Sequence, residues 1–362
     1  MVARREGIRR QGGLGVKLPF RADQVGSLLR PAYLAQARKD RKLQDKAILE
    51  AIRRQEEIGL ESITDGEFRR DWWHLDFLTQ IEGVAARTNP GPKFGGTEEQ
   101  PPIPTVTGKL RYAKPIMIED FAFLKKNTKK TAKYTIPSPS MLHLRGGRAA
   151  IAYADMDEFW SDAAAVYRDA IAAFAKAGCT YLQLDDVAFA YLCDPKIRAA
   201  CVRNGDDPDR LPETYSKTIR EALKDRPAGM TIAMHTCRGN FKSAFVAEGG
   251  YEPVAEAMFA SGVDAFFMEF DTERAGGFEP LRFVPKGKKV VLGLVTSKTP
   301  QLESKDELKN RIEEAAKFVP LEDLCLSPQC GFSSTHHGNQ LTQDEQWHKL
   351  ERVVQTAKEV WR

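Results

Sequence analysis

The sequence predicts an α/β fold, a (β/α)8 TIM barrel with an insertion after the second strand, and three observations carry that expectation. Short apolar or β-branched runs alternate with longer helical patterns along the whole chain, as parallel strands joined by helices do. The runs number eight, which is what closes such a barrel. Acids, a histidine and cysteines fall at the ends of several runs, where barrel enzymes collect their chemistry.

Taken in order, the expected strands are Phe20 to Ser27, Glu61 to Glu67, Tyr134 to Ser138, Cys179 to Asp186, Met230 to Cys237, Val263 to Asp271, Lys289 to Thr296 and Leu324 to Cys330. Amphipathic helices are expected over Asp157 to Ala177, Lys217 to Lys224, Tyr251 to Ser261, Lys305 to Phe318 and Thr342 to Trp361, where apolar positions recur at three and four. One stretch breaks the rhythm. Residues 72 to 133 are too many for a loop and contain Pro101, Pro102, Pro104, a hairpin pattern from Ile103 to Ile118, and Lys125, Lys126, Lys129 and Lys130. This stretch reads as an insertion over one mouth of the barrel, its lysines either a solvated face or a grip on an anionic ligand tail. Residues 1 to 18 read as a frayed basic tail without the apolar region of a secretory signal, and residues 19 to 362 as a single barrel domain.

Composition narrows the class of function. A chain of 362 residues, 42% apolar and 29% charged, can bury a full core. No apolar run approaches the roughly 20 residues that span a bilayer, so no membrane partner is expected. The net charge is +4, and Arg4, Arg5, Arg9 and Arg10 in the tail leave the body nearly neutral, which gives no nucleic-acid footprint. Six cysteines are too sparse for a disulfide framework, so a reducing, cytoplasmic setting is expected.

Alternation along the strands sorts the polar residues. In Thr231-Ile-Ala-Met-His-Thr-Cys237, Ile232 and Met234 suit the helix-covered outside, which points Ala233, His235 and Cys237 inward. In Val263 to Asp271 the same rule sends Phe267, Glu269 and Asp271 inward, and an inward carboxylate needs a cation or hydrogen bonds. Cys330, followed by Gly331 at the end of the last strand, can complete a set of His235, Cys237, Glu269 and Cys330, ligand types that zinc takes. Cys179 and Cys325 read as small core residues, and Cys193 and Cys201 fall in helical or loop sequence. Two further strand ends carry acids, with Gln183 and Asp185 inward on one and Asp65 and Glu67 sharing a face on the other. Such acids can bind an amino group, or they can be structural caps paired with Arg69, Arg70 or Lys298.

These residues resemble the cobalamin-independent methionine synthase family, in particular its catalytic C-terminal barrel and its short single-barrel members. The resemblance runs from about Arg21 to Arg362 and rests on Val25-Gly-Ser27, Asp65-Gly-Glu-Phe68, Gln183-Leu-Asp185, His235-Thr-Cys-Arg-Gly-Asn240, Met268-Glu269 and Ser327-Pro-Gln-Cys-Gly331. It implies a zinc ion on His235, Cys237, Glu269 and Cys330, and an amino-acid site on Ser27, Glu67 and Asp185. It further implies methyl transfer to the thiol of homocysteine to give methionine, with polyglutamylated 5-methyltetrahydrofolate as the expected donor. The long members grip that donor between two barrels, whereas this chain has one. Their folate-stacking Trp is replaced by Pro137-Ser-Pro-Ser140, and their proton-donating His is absent from Val295-Thr-Ser-Lys298. Trp72 and Trp73 could stack on the donor instead, and Asp186, His336 or His337 could protonate it. The alternatives are the same zinc-thiol chemistry with a methyl-corrinoid protein as donor or with another thiol, a metal-free barrel like uroporphyrinogen decarboxylase, and a zinc-thiol binding protein without turnover. A homo-oligomer is compatible with each.

Overall fold

Residues 19–88 and 102–361 are described by the computed structural model, so the expected tail, residues 1–18, and Pro101 lie outside the described residues. Nine strands are present among them: β1 (Ser62–Ile63), β2 (Glu82–Arg87), β3 (Ile103–Arg111), β4 (Thr131–Pro137), β5 (Tyr181–Asp186), β6 (Thr231–Thr236), β7 (Ala265–Glu269), β8 (Lys289–Val295) and β9 (Leu324–Pro328). Seven of them form a parallel sheet in the order β1-β4-β5-β6-β7-β8-β9. The segment from Arg21 to Leu28 closes this sheet into the eight-membered barrel. On one side Asp23 N–H donates to Leu326 O at 3.0 Å and Leu326 N–H to Arg21 O at 2.9 Å; on the other Leu28 N–H donates to Gly66 O at 3.0 Å. This first element makes only isolated bridges, at Ala22 and Ser27. Its middle is diverted by Asp23, whose carboxylate takes the Gln24 N–H at 2.7 Å, a local bond that competes with a ladder. The second expected strand is also short, because Gly66 and Glu67, at φ of 65° and 58°, turn the chain out of the wall.

Side-chain alternation holds through the barrel. Leu182, Leu184, Ile232, Met234, Phe266 and Met268 join the layer beneath the helices, while Val25, Tyr181, Ala233, Ala265, Phe267, Val291 and Cys325 pack into an interior plug. Helices cover the outside, among them Met156–Lys176, Leu211–Ala222, Lys305–Ala315 and Gln343–Val360. The last two begin at capping boxes, Ser304 with Glu307 and Thr342 with Glu345. Helix Arg41–Glu57 is an element that the periodicity does not announce, since its buried stripe is short and small: Ala47, Ile48, Ala51 and Ile52 between many charges. No helix among the described residues is long and apolar enough to cross a membrane.

The insertion after the second strand departs from expectation inside. Its hairpin pairs β3 with β2, upstream of it, and not with residues up to Ile118. Residues Ile118–Asn127 are helical, with Glu119 and Asp120 in the first turn and Phe121 and Leu124 buried at helical spacing. This helix and the start of β4 belong to the regular barrel, so Lys125, Lys126, Lys129 and Lys130 lie where chain enters β4, at the N-terminal end of the strands. Lys130 pairs with Glu61 at 2.7 Å and Lys125 bonds Ala177 O at 3.1 Å, both beside strand starts. The lysines therefore do not overhang the mouth that holds the polar strand ends.

Beneath the plug, Lys133 and Asp23 form a wholly buried ion pair at 3.2 Å. Ser62 Oγ and Tyr181 OH donate to the same carboxylate at 2.7 and 2.8 Å, and the ammonium lies 4.0 Å from the Phe267 ring centre. Removing one member of such a pair strands the other without compensation, which costs about 3–5 kcal/mol. Lys133→Met is expected to lower the urea-unfolding free energy by that amount, and a loss below about 1 kcal/mol would show that the hydroxyl donors suffice for Asp23.

Candidate metal and substrate site

The parallel register sets the polar strand ends side by side. Asp185 on β5 is the register partner of His235 on β6, and Glu269 ends β7 one strand further on. Cys237 follows β6 directly and Cys330 follows β9 by two residues. These geometries bring one donor atom each from His235, Cys237, Glu269 and Cys330 within 4.8 Å of one another, all four residues buried. The two sulfur atoms are 3.4 Å apart as free thiols.

Electrostatics inside the cluster follow from crowding. Donation from Cys237, with His235 adding to it against the effect of burial, pulls the Cys330 thiol down to about 7, and the same contact with burial pushes Cys237 well above the usual thiol range. His235 is driven up to about 9: burial opposes its charge, but Asp185 at 3.6 Å from Nδ1 and the neighbouring Cys330 outweigh it. Glu269 is completely buried, which alone would raise it, yet Lys298, Arg274 and Arg238 hold it below the usual carboxylate range. Its oxygens take the Arg238 N–H at 3.2 Å and an Arg274 guanidinium N–H at 3.2 Å. Asp271, expected inward with it, binds the same guanidinium at 3.1 Å.

A cavity opens above the cluster, and Ser27, Glu67, Asp185, His235, Cys237 and Cys330 all line it. Glu269 lies behind the wall. Glu67 is aimed by an unusual backbone: Asp65 accepts the Glu67 N–H at 2.9 Å, stabilising a left-handed conformation that costs energy in a side chain of this size. Thr135 Oγ1 then donates to Glu67 at 2.8 Å, and Arg70 stands 3.7 Å away. Burial, opposed by Arg70 and reinforced by Asp185, pushes the Glu67 carboxyl up to about 7. Asp185 accepts from Gln183 Nε2 at 2.6 Å. Ser27 Oγ accepts the Ser333 N–H at 3.3 Å, and any side chain at Gly331 would collide with that hydroxyl.

The residues weighed as proton donors separate. Asp186 reaches the cavity wall, but its carboxylate is engaged by Ser140 Oγ and the Phe189 N–H. His336 and His337 pack edge-on against Trp72 at 5.9 and 5.8 Å, and Trp72 stacks on Phe241 across the mouth. Sequence reasoning did not find His74 and Arg145, which also line the cavity. Both sit on loops outside any periodic pattern, and proximity to the Trp72-Trp73 pair was the one signal available for His74.

Comparison with known proteins agrees with this geometry. Residues 27–359 match the family described as the catalytic domain of cobalamin-independent synthase. The "Uncharacterized protein YxjH" of Bacillus subtilis (strain 168) is 45% identical over 361 residues, spanning 96% of each chain. A solved structure from Listeria monocytogenes, named after vitamin-B12 independent methionine synthase, superimposes with a TM-score of 0.77 at 41% identity and covers 95% of this chain and 98% of its own. The B12-independent methionine synthase of Shewanella sp. W3-18-1 shares the fold, with a TM-score of 0.72 at 21% identity over 93% of this chain and 96% of that one. A barrel of the uroporphyrinogen decarboxylase type is thereby set aside. The match along nearly the whole chain, the eight-membered barrel and the convergence of two thiols, an imidazole and a carboxylate at its mouth make the chain a short, single-barrel member of the cobalamin-independent methionine synthase family.

Proposed function

We propose that the protein transfers a methyl group to the thiol of homocysteine, forming methionine, with zinc held by His235, Cys237, Glu269 and Cys330. The observation that carries this reading is the convergence of these four buried donors beside a cavity whose wall also presents Ser27, Glu67 and Asp185. The donor set suits zinc, which takes sulfur, nitrogen and oxygen ligands in four-coordinate sites. Zinc bound there supplies the deprotonation that a free thiol, only a few per cent ionised at neutral pH, lacks.

The chain's own residues do the rest. Glu67 and Asp185 hold the ammonium of the amino acid, and Ser27 holds its carboxylate, which fixes the reach of the sulfur. Asp185 also leans on His235 Nδ1, at 3.6 Å, and so couples the amino-acid site to the ligand set. The stacked Trp72 and Phe241 screen the mouth from water, and positioning of this kind supplies a large share of the acceleration. The reaction belongs in the cytoplasm, where free thiols persist.

For the donor we propose 5-methyltetrahydrofolate, accepted without a polyglutamate grip from the lysine cluster, which lies at the strands' N-terminal end. That placement also favours a second reading, a methyl-corrinoid protein as donor. Mass spectrometry of homocysteine incubated with zinc-loaded protein and each donor is expected to show methionine, a gain of one methylene mass, with at least one of the two. No methionine with either donor would end the methyl-transfer reading.

A further inference from the structure

The cavity holds more recognition chemistry than the amino acid and the metal use. His74 is 1% exposed, and both of its ring nitrogens are buried without a hydrogen-bond partner among the described residues. Arg145 lines the same cavity, its Nε buried and unpartnered, with no carboxylate at ion-pair distance among the described residues. The buried Tyr191 hydroxyl stands beside Arg145 and feels its charge. His74 comes from the insertion after the second barrel strand and Arg145 from the loop after β4, so two separate loops deliver these groups to one wall.

Leaving buried polar groups unmet costs about 1–3 kcal/mol each, more for a charged one, so the wall is built for something that meets them. The chemistry of that group can be read from the donors. A guanidinium is a donor only and keeps its charge, and the neutral imidazole of His74 offers one N–H beside one acceptor nitrogen. Burial, reinforced by Arg145, keeps His74 neutral, well below the usual imidazole range. The wall therefore lacks an acceptor with negative charge. A sulfonium or quaternary ammonium donor would meet Arg145 as a like charge, whereas an oxyanion would take two or three charge-assisted bonds.

Building on the methyl-transfer reading, we propose that Arg145 and His74 form the acid-binding end of the second-substrate subsite, so that the methyl donor taken by this cavity carries a carboxylate there. This subsite is separate from Ser27, Glu67 and Asp185, which serve the amino acid. Calorimetry of zinc-loaded protein with 5-methyltetrahydrofolate monoglutamate, the carboxylate-free trimethylsulfonium ion and methionine tests it without requiring turnover.

Wild type is expected to bind the folate more tightly than the sulfonium. Arg145→Gln should weaken folate at least about tenfold and Arg145→Lys less, as loss of a charge-assisted bond implies. His74→Asn should give an intermediate loss. Methionine affinity, zinc content and the circular dichroism spectrum should stay unchanged in all three variants. Equal folate affinity in wild type and Arg145→Gln, no folate binding by wild type, or tighter binding of the sulfonium would overturn the proposal. An equal loss for methionine would reassign Arg145 to the amino acid's carboxylate and overturn it as well. A wild type that binds folate through Arg145 yet makes no methionine would instead sink the methyl-transfer reading alone.

Discussion

Cys237→Ser and Cys330→Ser are each expected to strip the protein of zinc and to lower methionine formation by more than about 100-fold, since even partners outside the ligand shell cost 10–100-fold. A serine hydroxyl is not deprotonated at neutral pH and is a hard donor, so the change removes one of two soft ligands. The sulfur atoms stand 3.4 Å apart, close enough that either loss breaks the four-donor set. The barrel is expected to survive, because both cysteines follow their strands at the rim while the interior is filled by Val25, Tyr181, Phe267, Val291 and their neighbours. Elemental analysis under reducing conditions and circular dichroism read the two halves of this expectation. Wild-type protein that lacks zinc and regains none on reconstitution would count decisively against the site, as would serine variants with full zinc and full rate.

What could be read in the sequence follows physical period. Strands β5 to β9 alternate cleanly because one face meets helices and the other meets the plug, and from that alternation the inward direction of His235, Asp185 and Glu269 is legible. The register that makes Asp185 the neighbour of His235 is not, since it is set by pairing between strands that share no local signal. Glu67 shows the same limit: its place at the second strand end is readable, but the left-handed turn that aims it depends on Asp65 and on the wall around it. The insertion misled for a different reason. Pro115, the acids Glu119 and Asp120 and the buried pair Phe121 and Leu124 mark a helix start, yet the β-rich stretch before them invited a hairpin with the wrong partner. His74 and Arg145 lie on loops, where sequence period says nothing and only the assembled cavity shows their common direction.

Glu67→Gln is expected to raise the Michaelis constant for homocysteine by roughly 100- to 4,000-fold, since a buried charged partner removed from an ion pair costs about 3–5 kcal/mol. Asp185→Asn should do the same, though its contact with His235 adds an effect on the metal set, so Glu67 gives the cleaner reading. Simple thiols of similar reactivity have no ammonium to offer, and the slow rate with 2-mercaptoethanol should change little in Glu67→Gln. Equal wild-type rates with homocysteine and 2-mercaptoethanol would remove the assignment. The sign of the pH effect follows from the raised carboxyl, about 7 in the free protein. Below that value the ammonium must displace a proton before it can pair, so the dissociation constant of methionine, a thiol-free probe, should rise about tenfold per pH unit on going down. Above it the affinity should be level until the amino group itself titrates. In stability the sign is reversed: an acid raised by folding contributes fully below its unfolded value near 4.3, and that contribution is lost as pH climbs through about 7. The ammonium restores what the climb removes, because it compensates the carboxylate that burial leaves exposed to Asp185. Methionine should therefore raise the unfolding temperature more at pH 8 than at pH 6, and a Glu67→Gln protein should show neither trend.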